Sequence, residues 1–214
     1  MVNGTGHGGM IAGPNETVWQ FYTCLIRRKA VFERRIGMDR VTFDADGNAR
    51  VVVTSTPQSV AAGDLGLRPV SVNKPVLVSS CRDEHYGNFA NDDCTHTWFA
   101  PTREDREPWW EVNLRQDFEL AAVRILWAEL NLDFKRGILP EPVRFKVEFF
   151  DAEHHLLPGA VNALDNATDR VVEFRAFGPI KARFVRLSWL AGRRMEFGLT
   201  QCTVFGYPRP NRTY

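Results

Sequence analysis

The sequence predicts an all-β fold in two parts, a small antiparallel block followed by a larger β-sandwich. Three observations carry that prediction. Val143, Phe145, Val147 and Phe149 alternate with Arg144, Lys146 and Glu148, the period-two pattern of a strand with one buried face. No stretch carries the apolar stripe of a long helix. Residues 61–73 gather small residues, two glycines and a proline between two β-rich blocks, as a linker does. The division that follows is a block over 1–60, a linker over 61–73, a sandwich over 74–207 and a tail over 208–214.

The elements follow in order. Residues 8–12 are a short apolar run, and Gly13-Pro14-Asn15-Glu16 is a turn by composition. Residues 17–26 alternate rings with polar groups as a strand. Residues 31–43 form another, interrupted near Gly37. Asp44-Ala45-Asp46-Gly47-Asn48 is a strong hairpin turn before Val51-Val52-Val53. About four strands in about fifty residues is the size of one propeller blade, and such a sheet alone buries too little surface to be comfortable. Phe21, Phe32, Ile36 and Phe43 are therefore expected to need a covering surface, from the sandwich that follows or from a second copy of the chain. In the second part, residues 74–80 open the sandwich and Trp109-Trp110-Glu111-Val112-Asn113-Leu114 alternates as a strand. Residues 121–129 place Val123, Ile125 and Trp127 on one face. Segments 171–174, 180–189 and 199–206 complete about eight strands. Trp98, Trp109, Trp110, Trp127 and Trp189 are expected mainly in the core.

Composition narrows the function. The chain has 214 residues, 44% hydrophobic and 25% charged, with 27 basic against 26 acidic side chains. A net charge of +1 excludes a bulk electrostatic grip on nucleic acid or an anionic membrane. No apolar run is long enough to cross a bilayer, and the N-terminus lacks the regions of a signal peptide. Cys24, Cys81, Cys94 and Cys202 lack zinc-site spacing. Cys81 with Cys94 is the preferred disulfide, set against four reduced thiols. Asn-x-Ser/Thr sequons begin at Asn3, Asn15, Asn166 and Asn211 and matter only in a eukaryotic secretory pathway. His154 and His155 are adjacent in a turn, where side chains diverge, so they read as solvated histidines.

The richest stretch is 88–114. Ala90-Asn91-Asp92-Asp93 is a tight acidic loop that reaches Thr97-Trp98 and then the Trp109 strand. Carboxylates and a hydroxyl crowded into one loop suit a hard cation such as calcium. The spacing Ala-x-Asp-x-x-x-x-Thr-Trp, followed by Trp-x-x-Asn-Leu, resembles the start of a discoidin domain. That family is also called the coagulation factor V/VIII type C domain, and its sugar-binding branch is carbohydrate-binding module family 32. The resemblance covers roughly residues 71–207 and implies a galactose-binding-like jelly-roll sandwich. It implies a structural calcium held by Asp92 and Thr97, with Asp93 or Gln201 assisting. Two positions depart from the pattern: Cys94 stands where the family has a second Asp, and Gln201 replaces an acidic residue. It implies a sugar site on neighbouring loops, drawn from His85, Tyr86, Asn88, Asn131, Phe134, Arg193, Arg194 and Phe197. Tyr86 or Phe197 would supply a platform, and Arg194 or His85 the hydroxyl contacts.

A second resemblance lies in the first block. Gly4-Thr5-Gly6-His7, Phe32-Glu33-Arg34-Arg35-Ile36-Gly37-Met38-Asp39, Phe43-Asp44-x-Asp46-Gly47-Asn48 and Thr56-Pro57-Gln58 are similar to the closing part of the five-bladed propeller of glycoside hydrolase family 43. It implies that His7 lies near a propeller axis and that the chain is the tail of a longer, extracellular or periplasmic enzyme. The motifs carrying that family's catalytic Asp, Asp and Glu are absent. Asp44 and Asp46 share one turn and are expected to shape it rather than to flank a glycosidic bond, which for an inverting enzyme needs carboxyls about 6.5–9.5 Å apart. No catalytic residue is assigned. The expected function is a non-catalytic module that binds a neutral galactose- or arabinose-type glycan. The alternatives are a structural module packed on a propeller, and a glycosidase fragment active only with the missing blades.

Overall fold

The computed structural model describes residues 3–25, 34–54, 56–60, 66–190 and 196–207. The chain forms two compact units, residues 1–67 and 68–214.

Unit 1 is a four-stranded antiparallel sheet of β1 (Asn3–Ala12), β2 (Val18–Leu25), β3 (Arg34–Phe43) and β4 (Ala49–Val51), paired in chain order. The hairpin between β3 and β4 is built by Asp44. Its Oδ1 accepts the main-chain N–H groups of Asp46 and Asn48 at 3.1 and 2.9 Å, and Arg50 pairs with Oδ2 at 3.1 Å. These contacts, the Asn48 N–H foremost, hold its carboxyl below the usual carboxylate range. Asp44 thus shapes the bend. Trp19, Tyr22 and Val41 are buried, whereas Ile36, Phe43 and Val52 are exposed. Phe21 is half-buried, and Phe32 lies outside the described residues.

The polar centre of this unit is Asp39, only 1% exposed. Its carboxylate accepts the Tyr22 hydroxyl at 2.5 Å and the Thr54 N–H and hydroxyl at 3.1 and 3.0 Å. It also accepts the Gln58 side-chain amide. A carboxylate whose lone pairs are so fully engaged is a structural anchor. Burial, aided by the bond to Asp39, pushes the Tyr22 phenol well above its ordinary pKa.

Unit 2 begins with β5 (Arg68–Pro69), so Arg68 and Pro69, grouped by composition with the linker, belong to its sheet. The Val70 N–H donates to the Val204 carbonyl at 2.9 Å, and Ser71 is buried. The framework is a pair of long antiparallel strands, β7 (Trp109–Glu129) and β10 (Val172–Trp189). Residues 114–117 bulge opposite Arg183 alone, with Arg115 left-handed at φ 70°. That corner explains why the polar run Arg115-Gln116-Asp117 looks like a break between strands in the sequence.

On one side of the corner, β6 (Val76–Val78), the first half of β7, the second half of β10, β8 (Phe145–Phe150) and β9 (Val161–Ala163) form one layer. On the other, β5, β11 (Phe197–Tyr207), the second half of β7 and the first half of β10 form the second. Both layers feed one core: the Trp127 ring lies 5.7 Å from both Phe145 and Trp189. Trp110, Trp127 and Trp189 are buried as expected, but Trp98 and Trp109 are only half-buried.

Candidate functional site

One end of the sandwich gathers polar and aromatic side chains from segments far apart in sequence. The turn over residues 82–85 is fixed by three main-chain bonds. Arg82 N–H reaches the Ala100 carbonyl at 2.9 Å, Ala100 N–H the His85 carbonyl at 3.1 Å, and His85 N–H the Arg82 carbonyl at 3.1 Å. The following 3-10 turn, Gly87–Ala90, is pinned by the Trp110 indole N–H on the Gly87 carbonyl at 2.9 Å. Phe99 pairs with Leu199 of β11 in both directions, at 2.9 and 2.8 Å. Gly198 permits this approach, since a Cβ there would lie 2.6 Å from the Phe99 carbonyl oxygen.

These constraints set the site. The His85 ring stacks on Trp98 with centroids 4.5 Å apart and 26° between planes. Arg82 and Arg103 both end on Glu196, at 2.7 Å each. Tyr86 is 53% exposed and meets Phe89 edge-on at 5.6 Å. Asn88 is exposed on the same 3-10 turn. The loop after β7 leaves from here too, because the Leu130 N–H donates to the Glu196 carbonyl at 3.1 Å. An aromatic face beside fixed polar groups suits a polar ring compound with one apolar side. Sequence reasoning named His85, Tyr86 and Asn88 but missed Arg82, Trp98, Arg103 and Glu196 as site residues.

The acidic loop is ordered by its own bonds. Asp92 Oδ1 accepts the Cys94 N–H at 2.9 Å, and Oδ2 accepts the Thr97 hydroxyl at 2.8 Å. Asn91 is buried and donates its side-chain amide to the Ser71 and Lys74 carbonyls at 2.8 and 2.9 Å. Ser71 in turn donates its hydroxyl to the Cys202 carbonyl, next to Gln201 on β11. Gln201 is 2% exposed, and neither end of its amide has a hydrogen-bond partner among the described residues. Asp93 is exposed at φ 57° and favours the charged state of Arg124, whose pKa burial pushes down.

Several expected positions fall elsewhere. Phe197 is 6% exposed and belongs to the hydrophobic core, so its ring is enclosed rather than offered as a platform. Arg193 and Arg194 lie outside the described residues. Asn131 and Phe134 are exposed on the loop after β7, where Asp133 caps a 3-10 turn. His7 is exposed on β1 with φ 42°. Cys81 and Cys94 are not joined: all four cysteines are free, with Cys81 exposed. His154, an exposed turn residue, also makes contacts of its own. It stacks on Phe150 at 4.7 Å, and its Nε2 lies 2.9 Å from the buried Glu111, which Arg186 also holds at 2.9 Å. His155 diverges from it toward Asp151, at 3.2 Å.

No family model matches the chain, and no curated protein matches it in sequence. In structure it is similar to a fucose binding module of Streptococcus pneumoniae, SpX-3, with a TM-score of 0.52 and 19% identity over 66% of this chain and 99% of that one. It is similar to chitosan-binding module 1 of the chitosanase/glucanase from Paenibacillus sp. IK-5, with a TM-score of 0.54 and 16% identity over 65% and 99%. It is also similar to CpGH89CBM32-6 of Clostridium perfringens, with a TM-score of 0.53 and 14% identity over 65% and 99%. The fold is therefore a discoidin-like β-sandwich, of the type seen in these carbohydrate-binding modules.

Proposed function

We propose that the larger unit is a non-catalytic glycan-binding module that uses the loop end described above. The observation that carries this reading is the convergence of the His85–Trp98 stack, the Arg82–Glu196–Arg103 trio and the exposed Tyr86. A pyranose has an apolar face for a ring such as Tyr86 and hydroxyls for fixed guanidinium and imidazole groups. The names of the similar structures, fucose- and chitosan-binding, support a sugar ligand. A neutral galactose- or arabinose-type unit would bind near ~1 mM, a modest yield for one stacking contact and a few wet hydrogen bonds. A glycan array on folded protein tests this, followed by titration of Tyr86→Ala. That exposed side chain contributes little to stability, within about 0.5 kcal/mol. Its removal should nonetheless weaken binding at least about tenfold. Silence across the array would instead favour a structural module.

The same reading extends to a parent enzyme. Unit 1 would be the closing blade of a propeller like that of glycoside hydrolase family 43, acting on extracellular or periplasmic polysaccharide. Its four-stranded sheet with Ile36, Phe43 and Val52 exposed supports a blade that lacks its neighbours. A tethered glycan module raises local substrate concentration without new chemistry. Coding sequence for the remaining blades, in frame upstream of Met1, is the expected result, and its absence would defeat this part. The reading also includes a structural calcium held by the Asp92 carboxylate, the Thr97 hydroxyl and the Gln201 amide oxygen. The unpartnered, buried Gln201 amide supports it, and oxygen donors suit that ion.

A further inference from the structure

The proposed glycan site brings two guanidiniums onto a single carboxylate. Arg82 Nη2 donates to Glu196 Oε2 and Arg103 Nε contacts Oε1, so both oxygens of the single carboxylate are engaged. Two guanidiniums against one carboxylate leave one positive charge over within the trio. The remaining N–H groups of both arginines have no partner among the described residues, and the same holds for the His85 ring nitrogens and the Asn88 amide. The Trp98 indole N–H is buried without an acceptor among the described residues. Neighbouring carboxylates, Glu104 among them, keep their charge but form no ion pair with the two guanidiniums among the described residues. Asp83 and Glu84 are exposed and form no ion pair with either arginine, while Asp105 accepts the Ser79 and Ser80 hydroxyls at 2.6 Å each.

A neutral sugar hydroxyl can accept one of these N–H groups, but it carries no charge to match the surplus guanidinium. A carboxylate only accepts, and it takes two N–H groups from one guanidinium in a fixed fork. Resting on the glycan-binding reading above, we infer that the preferred ligand is an acidic glycan. It is a uronic-acid-bearing relative of the neutral sugars, with its carboxylate at Arg82 and Arg103. Arg82 is the orienting partner, since its side chain is 29% exposed and clamped, whereas Arg103 at 70% exposed supplies a screened, adjustable charge.

Methyl galactoside and methyl galacturonoside differ only at C6 and make a matched pair of probes. Each is titrated into the full chain and followed by amide chemical shifts, at about 20 mM and about 300 mM salt. The uronoside should bind about tenfold more tightly at low salt, the scale of one charge-assisted pair, and that advantage should shrink at high salt. Arg103→Gln should remove most of the advantage while leaving the melting temperature unchanged. Arg103→Lys should retain part of it together with its salt dependence. Equal affinity for the two sugars, or an advantage indifferent to salt and to Arg103→Gln, would overturn the acidic preference and leave a glycan module standing. No shift with either sugar, on protein also silent on the array, would overturn the glycan reading itself.

Discussion

Removal of the Asp39 carboxylate should strongly destabilise unit 1 and spare unit 2. In Asp39→Ala, the Tyr22 hydroxyl, the Thr54 N–H and hydroxyl, and the Gln58 amide all lose their acceptor at a site 1% exposed. An unsatisfied buried polar group costs about 1–3 kcal/mol, and water entering the vacated space recovers part of that. A net loss of about 3–4 kcal/mol follows. A unit of 67 residues has roughly 3–10 kcal/mol to lose, at about 0.05–0.15 kcal/mol per residue. Asp39→Asn keeps the shape and one acceptor oxygen, so about 1–2 kcal/mol is expected. Calorimetry on the whole chain, with amide exchange resolved by unit, separates the cases. Exchange should become fast across β2 and β3 in the alanine variant and stay slow across β7 and β10. Unchanged protection at Tyr22 and Met38 would refute the idea that this carboxylate anchors the sheet.

Three further outcomes are expected. Added calcium should raise the melting temperature of the wild type but not of Asp92→Ala; a wild type indifferent to calcium would instead support the loop held only by its own bonds. Thiol labelling under native conditions should modify Cys81 and spare Cys202, which is fully buried and has its thiol pushed up to about 12 by that burial. A Cys81–Cys94 crosslink found by mass spectrometry would contradict the free thiols. The Asp44 and Asp151 carboxyls are both held below the ordinary range, by the N–H groups of Asn48 and His155 first. A depressed folded pKa contributes stability that is complete above the unfolded value of about 4 and is lost as pH falls through the folded one. The protection factors of the Asn48 and His155 amides should therefore fall on acidification below about pH 4, and Asp44→Asn should flatten the first response.

Much of the fold was legible because a half-buried strand writes its environment into every second residue. Val143, Phe145, Val147 and Phe149 are all buried, and so are Val123, Ile125 and Trp127. The turn at Asp44 was equally readable, since its bonds run to residues two and four positions away. The length of β7 and β10 was not. Their corner requires a bulge, and a bulge in sequence is indistinguishable from a loop. Asp39 lay inside a recognised motif, yet its role needed Thr54 and Gln58 to fold back onto it.

The site was harder to read for a related reason. Arg82 and Glu196 are separated by 114 positions, and nothing near either residue announces the other. Their meeting depends on β11 reaching Phe99, which in turn depends on Gly198 having no side chain. Phe197 illustrates the opposite failure. As the first residue of β11 beside a loop rich in arginine, it looked like an exposed ring. But β11 is buried on both faces from Phe197 to Gly206, so the alternation that would have assigned its direction is erased. A strand covered on both sides gives no period-two signal. Phe197 therefore joins the core through the same strand that carries the site's backbone pairing with Phe99, and Glu196, one residue earlier, is left at the edge to hold both arginines.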